Sequence, residues 1–412
     1  MSNFLQLIAE LAIILVAAKA AGFLSTRLKQ PSVFGELLVG VILGPSLLDV
    51  THLVFVTDTH LDEIIHEFGE IGVLLLMFLA GLELHIKDLT RNTRAALLAG
   101  VLGVVIPVGS GLLFGQLLNL TFDHSLFLGL SLGATSVSIS AQVLIELKVL
   151  RSKVGLGLLG AAVFDDILVI LLLSTTVAFL SGGGTFLDIL MVFVKMVVFL
   201  ALAAAFGIWV LPRVVRLTTR LNISQGLATL TLVVLLGYGL AAELIGGMAA
   251  ITGTFMAGLM FSRTPEKSSI ESSLHSLSYA FFVPIFFVSI GLNVNLREFQ
   301  LDSLWILLAI SLIAIFGKII GAGSGALLAK YTPREALQLG IGMVSRGEVG
   351  LIIANIGLSE GYLSGQMLTI IVGMILVTTL VTPPLLRLSF KHPAKPVMKN
   401  SDQQEIKSME DL

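Results

Sequence analysis

The sequence predicts an all-α polytopic membrane protein of about thirteen transmembrane helices, with inverted repeats and two broken, crossing helices. Three observations predict it: the composition, the segregation of basic residues, and paired polar interruptions about 210 residues apart. Of 412 residues, 56% are hydrophobic and 13% charged, and the mean hydropathy is +0.98. A soluble domain carries about 25% charged residues. Apolar runs of roughly 20 residues recur along the chain, each able to cross a ~30 Å hydrocarbon layer as a helix. The sequence does not show the alternating ~10-residue segments of a membrane β-barrel. This composition excludes a water-soluble enzyme. A net charge of −2 without a basic block excludes nucleic-acid binding. Cysteine is absent, which removes disulfides, thiolate metal sites and a catalytic thiol.

The spans fall at about 3–24, 31–50, 63–84, 93–118, 125–147, 154–180, 186–211, 224–242, 245–262, 273–293, 302–329, 335–358 and 362–387. The first lacks a small-residue cleavage site followed by a polar region, so it is a helix rather than a signal peptide. Gly44-Pro45 reads as a helix-end break, and Gly182-Gly183-Gly184 as a flexible outer loop. Placing the connections alternately on two sides gathers 20 of the 25 lysines and arginines on one side. The other side receives Arg297 alone, with acidic residues such as Asp62, Glu67 and Asp123. A missed or invented span would scramble this segregation. By the positive-inside rule the N-terminus is outside and the C-terminus cytoplasmic. Residues 1–390 then form one transmembrane domain. The tail at 391–412 is polar, expected to be disordered, and too short for a nucleotide-binding regulatory domain.

Two halves of the chain echo each other. Phe78-Leu79-Ala80-Gly81-Leu82-Glu83 parallels Phe287-Val288-Ser289-Ile290-Gly291-Leu292, with the glycines 210 apart. Leu132-Gly133-Ala134-Thr135-Ser136 parallels Ile341-Gly342-Met343-Val344-Ser345, and Gly40-Val41-Ile42-Leu43-Gly44 echoes the run from Gly253 to Gly258. The matches pair spans 1–6 with spans 8–13 and leave span 7 as a linker. An odd linker inverts the second half, the arrangement of secondary transporters, whose site lies where the repeats meet.

A charge at mid-membrane costs about 2.5–3.5 kcal/mol on insertion scales, so each needs a reason. Asp165 and Asp166 lie halfway along the sixth span, in Val163-Phe164-Asp165-Asp166-Ile167. Adjacent carboxylates in an apolar setting require water, a cation, a proton or a basic partner. Lys318, in Phe316-Gly317-Lys318-Ile319 on the eleventh span, is either that partner or snorkels to the inner face. Thr135 and Ser136 belong to a polar, small-residue run ending at Gln142 that makes a poor helix centre. Its repeat mate reads Ser345-Arg346-Gly347-Glu348. Opposed helix breaks expose carbonyls, amides and helix ends that can hold ions. Arg346 and Glu348 are either an ion pair holding the break or part of the ion path. Glu10, Lys19, Glu36 and Glu243 sit nearer span ends. The histidines, among them His52, His60 and His66, have no metal-ligand spacing, and no motif calls for a cofactor.

On these residues the chain resembles the monovalent cation:proton antiporters, in the branch of the NapA-type sodium/proton antiporters and the Kef-type potassium systems. The motifs are Gly35-Glu36-Leu37-Leu38-Val39-Gly40, Leu43-Gly44-Pro45, Phe78-Leu79-Ala80-Gly81, Phe164-Asp165-Asp166, Phe286-Phe287-Val288-Ser289-Ile290-Gly291 and Arg346-Gly347-Glu348-Val349-Gly350, in that order. The resemblance implies the NhaA/NapA-like fold and a homodimer in the lipid bilayer of a bacterial cell. Dimer-domain helices would lie at about 3–84 and 224–293, a linker helix at 186–211, and core-domain helices at 93–180 and 302–387. It implies exchange of Na+ or Li+ for H+ by an elevator-like alternating access, with no enzyme activity and no cofactor. It places Na+ at Asp166 and Asp165, with Asp166 the main carrier, Thr135 and Ser136 at the broken helix, and Lys318 paired with Asp165. Potassium-efflux relatives often carry Gln-Asp in place of Asp165-Asp166, and a large nucleotide-binding domain. A K+/H+ antiporter is the alternative reading, and a cation channel a further one.

Overall fold

The computed structural model describes residues 2–50, 60–84, 92–180, 186–221, 224–295, 297 and 301–390. His52, the glycine loop at 182–184 and the tail at 391–412 lie outside the described residues, as does the side chain of Glu348. All regular structure among the described residues is helical. Helices α1 (Asn3–Arg27), α2 (Ser32–Leu43), α3 (Leu61–Glu83) and α4 (Thr93–Leu117) precede a first broken helix, α5 (Phe122–Gly133) and α6 (Val137–Glu146). After α7 (Lys153–Leu180), α8 (Phe186–Ala205) continues through a π turn, Phe206–Val210, into α9 (Leu211–Arg220). Helix α10 (Gly226–Ala241) ends in a second π turn, Ala242–Gly246. Then come α11 (Ala250–Phe261), and α12 (Lys267–Leu277) joined by a third π turn, Ser278–Phe282, to α13 (Val283–Leu292). Helix α14 (Leu304–Leu328), a second broken helix, α15 (Pro333–Gly342) and α16 (Glu348–Ser359), and α17 (Gly365–Ser389) complete the chain.

Ten of the described helical stretches are long and apolar enough to cross a membrane. Three shorter apolar helices accompany them: Ser32–Leu43, Ala250–Phe261 and Val349–Ser359. The stretches expected at 31–50 and 245–262 are thus shorter than read. Gly44 caps α2, and Gly247, at φ +61°, turns the chain between α10 and α11. Only glycine takes that left-handed conformation without a Cβ penalty. The stretch expected to end at 211 instead runs on to Arg220, carrying Arg213, Arg216 and Arg220 on a helix rather than in a loop. Large apolar side chains stay exposed along α1, α8 and α10, among them Val16, Phe193 and Leu240, as a lipid-facing surface requires.

The helices pack in two groups. Helix α4 is the strut of the first, packing on α14, α5 and α7, while α15, α16 and α17 close around them. The second group joins α3 to α11, α2 to α13, α1 to α2, and α10 to α11. Small residues set its crossings. A Cβ on Gly81 would run into the carbonyl of Phe255, and one on Gly258 into that of Phe78, so α3 and α11 cross backbone to backbone. Gly40 and Gly291 do the same for α2 and α13. Without a hydrophobic drive between helices in lipid, such close approach supplies the packing energy. The repeat aligns Gly81 with Gly291, and Gly40 and Gly258 lie in the two runs that echo each other. Overpacking a close contact costs typically 1–3 kcal/mol. Gly258→Val should therefore lower the Tm of the detergent-solubilised protein by several degrees. A Tm within one degree of wild type would contradict this packing.

Candidate ion-binding site

The two broken helices meet at their breaks. The Ser136 amide donates to the Ser345 carbonyl at 2.9 Å, and the Ser345 hydroxyl donates to the Ser136 carbonyl at 2.6 Å. The Ser140 hydroxyl donates to the Gly342 carbonyl at 2.6 Å. These bonds take up backbone groups that the helix ends leave without intrahelical partners. Gly347 permits the approach, because a Cβ there would lie 2.7 Å from the Ser136 side chain. Arg346 is fully buried, and its guanidinium donates to the carbonyls of Met343 at 3.2 Å, Val344 at 2.6 Å and Ala314 at 3.1 Å. It therefore holds the end of α15 and ties it to α14. The Thr379 hydroxyl of α17 donates to the Arg346 carbonyl at 2.8 Å. Arg346 acts on carbonyls at the break, and its Nε has no hydrogen-bond partner among the described residues.

Asp165 and Asp166 sit in the middle of α7, both buried. Lys318 donates to Asp165 Oδ1 at 2.6 Å with both side chains out of contact with solvent. Lys318 is thus paired and does not snorkel. Its position follows from α4: Gly321 and Gly325 of α14 press on the α4 backbone at Leu102 and Leu98, while Gly100 of α4 presses on α7 at Ala161 and Phe164. Asp166, Val137 and Thr252 line a void of about 10 Å³, which brings Asp166 to the start of α6. The amino end of a helix favours negative charge. The Thr252 hydroxyl donates to Asp166 Oδ2 at 2.8 Å.

At the site, the buried Thr135 Oγ1 and Asp165 Oδ2 have no hydrogen-bond partner, as is also true of Gln30 Oε1, Ser278 Oγ and Ser311 Oγ among the described residues. Buried polar oxygens are rarely left so. Ser136 Oγ lies 3.0 Å from Ser138 Oγ and borders a cavity of about 100 Å³ that runs past Gly347, Ser289 and Asn293 to His66 and Glu70. Among the described residues no cluster of three or more His, Cys, Asp or Glu residues could hold a metal. Two carboxylates with hydroxyl and carbonyl oxygens around them suit a hard, weakly held cation.

The end of α6 away from the cavity is tied to the second helix group. Glu146 accepts from the Ser32 amide at 2.8 Å and the Ser32 hydroxyl at 2.5 Å, and the Tyr279 hydroxyl donates to Gln142 at 2.9 Å. Glu36 is buried in α2 nearby, and Lys19 donates to the Tyr279 carbonyl at 2.8 Å.

Asp165, Asp166, Lys318, Thr135, Ser136 and Arg346, singled out in the sequence, are all buried. Thr252, Thr379 and Glu146 were not singled out, because their hydroxyls and carboxylate carry no signal until their partners are known. Breaking a buried pair from one side costs about 3–5 kcal/mol, because a lone charge remains. Lys318→Met should therefore lower the Tm in detergent markedly, and adding Asp165→Asn should recover most of the loss. Additive losses in the double variant would contradict the pair.

The chain matches the family model described as sodium/hydrogen exchanger, transmembrane, over residues 12–390. It is 39% identical over 381 residues to the Na(+)/H(+)-K(+) antiporter GerN of Bacillus cereus, covering 92% of this chain and 95% of that protein. It is 36% identical over 384 residues to a Na(+)/H(+) antiporter of Enterococcus hirae, covering 93% and 98%. Among solved structures, the sodium proton antiporter MjNhaP1 of Methanocaldococcus jannaschii superposes with a TM-score of 0.66 over 94% of this chain and 99% of that one. Their sequences are 21% identical, so that likeness is one of fold. With its apolar helices and this match across most of its length, the chain is an integral membrane protein that belongs to the sodium/hydrogen exchanger family of transporters.

Proposed function

We propose that the protein is a secondary antiporter exchanging Na+, or Li+, for H+ by alternating access, with Asp166 as the group the two ions contest. The observation that carries this reading is the buried Asp165-Asp166 pair on α7, with Lys318 on one carboxylate and unpartnered oxygens on Asp165 and Thr135. Relatives at 36–39% identity bear the names of Na+/H+ antiporters. Asp166 binds the cation or a proton, never both. Thr135, Ser136 and carbonyls at the break supply neutral ligands. Arrival of the cation loosens Asp165 from Lys318, and one of these two groups carries a proton in turn. A filled or neutralised site crosses the apolar barrier more cheaply than a bare dianion, which couples the two fluxes.

The packing of the helices in two groups supports a division of labour between them. In this reading α4–α7 and α14–α17 form the moving core, α1–α3 and α10–α13 the dimer domain of a homodimer, and α8–α9 the linker. The chemistry is transport, not catalysis. The protein sits in a bacterial cell membrane with its N-terminus outside and its C-terminus cytoplasmic, as the basic residues direct. The cavity by His66 and Glu70 then opens outward, and the Glu146–Ser32 contact closes the inner side. K+ as a further substrate is the second reading, favoured by the name of the GerN relative.

In proteoliposomes with a trapped pH dye, NaCl should drive proton movement by the wild type and none by Asp166→Asn. Exchange surviving in that variant would sink the assignment. The absence of native cysteine allows a second test. Crosslinking Ser32→Cys to Glu146→Cys should stop exchange, and a reductant should restore it. Undiminished exchange by the crosslinked protein would exclude movement between the two groups at this contact.

A further inference from the structure

Thr252 lies in the first turn of α11, in the second helix group, while Asp166 belongs to α7 in the first. Its hydroxyl bond to Asp166 Oδ2 therefore crosses from one group to the other. Other hydroxyls of this region stay at home: Thr254, Ser262 and Thr264 donate to the carbonyls of Ile251, Leu259 and Phe261 of their own segment. That local bond is the usual resort of a helical Ser or Thr. Thr252 instead reaches out to a carboxylate, and it is 3% exposed against 7% for Asp166. The void the two share has about 10 Å³, room for about one water. A hydrated cation cannot share that space with the hydroxyl bond in place. A donor to an ionised carboxylate makes a strong, charge-assisted bond.

We propose that Thr252 is a positioning residue whose hydroxyl acts as a stand-in ligand for the ion-free Asp166 carboxylate. The stationary group offers the hydroxyl, the carboxylate rests on it between ions, and an arriving cation must displace it. The inference rests on the assignment of Asp166 as the ion carrier. Two consequences follow. Thr252 weakens cation binding in the state seen here, because binding must break an existing bond. It also speeds release, because the hydroxyl is ready to take the carboxylate back. Weak capture and fast release serve an exchanger, which has to let go of its ion on every cycle.

The test is Na+-driven exchange in proteoliposomes, with KM and kcat read separately for Thr252→Val, which keeps the shape and removes the donor. The expected result is a KM for Na+ about tenfold lower, the size of one hydrogen bond to a charged group, with kcat reduced as well. Thr252→Ser, which restores a hydroxyl, should return both parameters toward wild type. Thr252→Ala reads the same quantity if valine disturbs the packing of α11. A raised KM would mean that Thr252 ligates the cation, and overturns the proposal. An unchanged KM, or a loss of kcat alone that serine does not rescue, overturns it too. Exchange persisting in Asp166→Asn would instead strike the carrier assignment, so the two failures are distinguishable.

Discussion

Two helices that stop in the middle of an apolar layer leave backbone amides and carbonyls with no water to bind, and the architecture is organised around that constraint. The breaks meet each other and share what each lacks: Ser136 and Ser345 exchange bonds, and Ser140 reaches Gly342. Arg346 gathers three further carbonyls, and Thr379 takes up the carbonyl of Arg346 itself. A buried arginine is costly in lipid, yet here three of its five N–H donors are spent on backbone carbonyls, while Nε has no partner. Removing the breaks would remove the need for it.

The satisfaction is incomplete at the breaks themselves. The carbonyls of Ser136, Gly342, Met343, Val344, Ser345 and Arg346 are bonded, while Thr135 Oγ1 and Asp165 Oδ2 are not. In the proposed reading, unpartnered buried oxygens raise the energy of the empty site and give an entering cation bonds to make. Lys318 limits how far that goes, since it neutralises one carboxylate of the pair without filling its second oxygen.

Much of this was legible in the sequence, because lipid makes polarity expensive. Asp165, Asp166 and Lys318 stood out for being charged where a helix should be apolar, and the broken helices for being polar and small at matching places. The repeat aligned Gly81 with Gly291, one glycine from each of the crossings of α3 with α11 and α2 with α13. Boundaries were less legible. The helices expected at 31–50 and 245–262 are short because Gly44 and Gly247 end or turn them, and single residues of that kind are hidden by apolar neighbours. Arg213, Arg216 and Arg220 read as a loop because charges end an apolar run, although a helix can carry them onward.

By itself the sequence determined which residues had to find partners, because a charge or a helix break in an apolar span cannot be left alone. It determined the helical class for the same reason, since in lipid a helix satisfies its own backbone. Only the tertiary structure decided who the partners are. That Lys318 takes Asp165 follows from glycine contacts on both sides of α4, and that Arg346 takes carbonyls follows from the crossing. Thr252 shows the limit most clearly. An alcohol in an apolar helix is unremarkable along the chain, and acquires meaning only because α11 sets its hydroxyl 2.8 Å from Asp166.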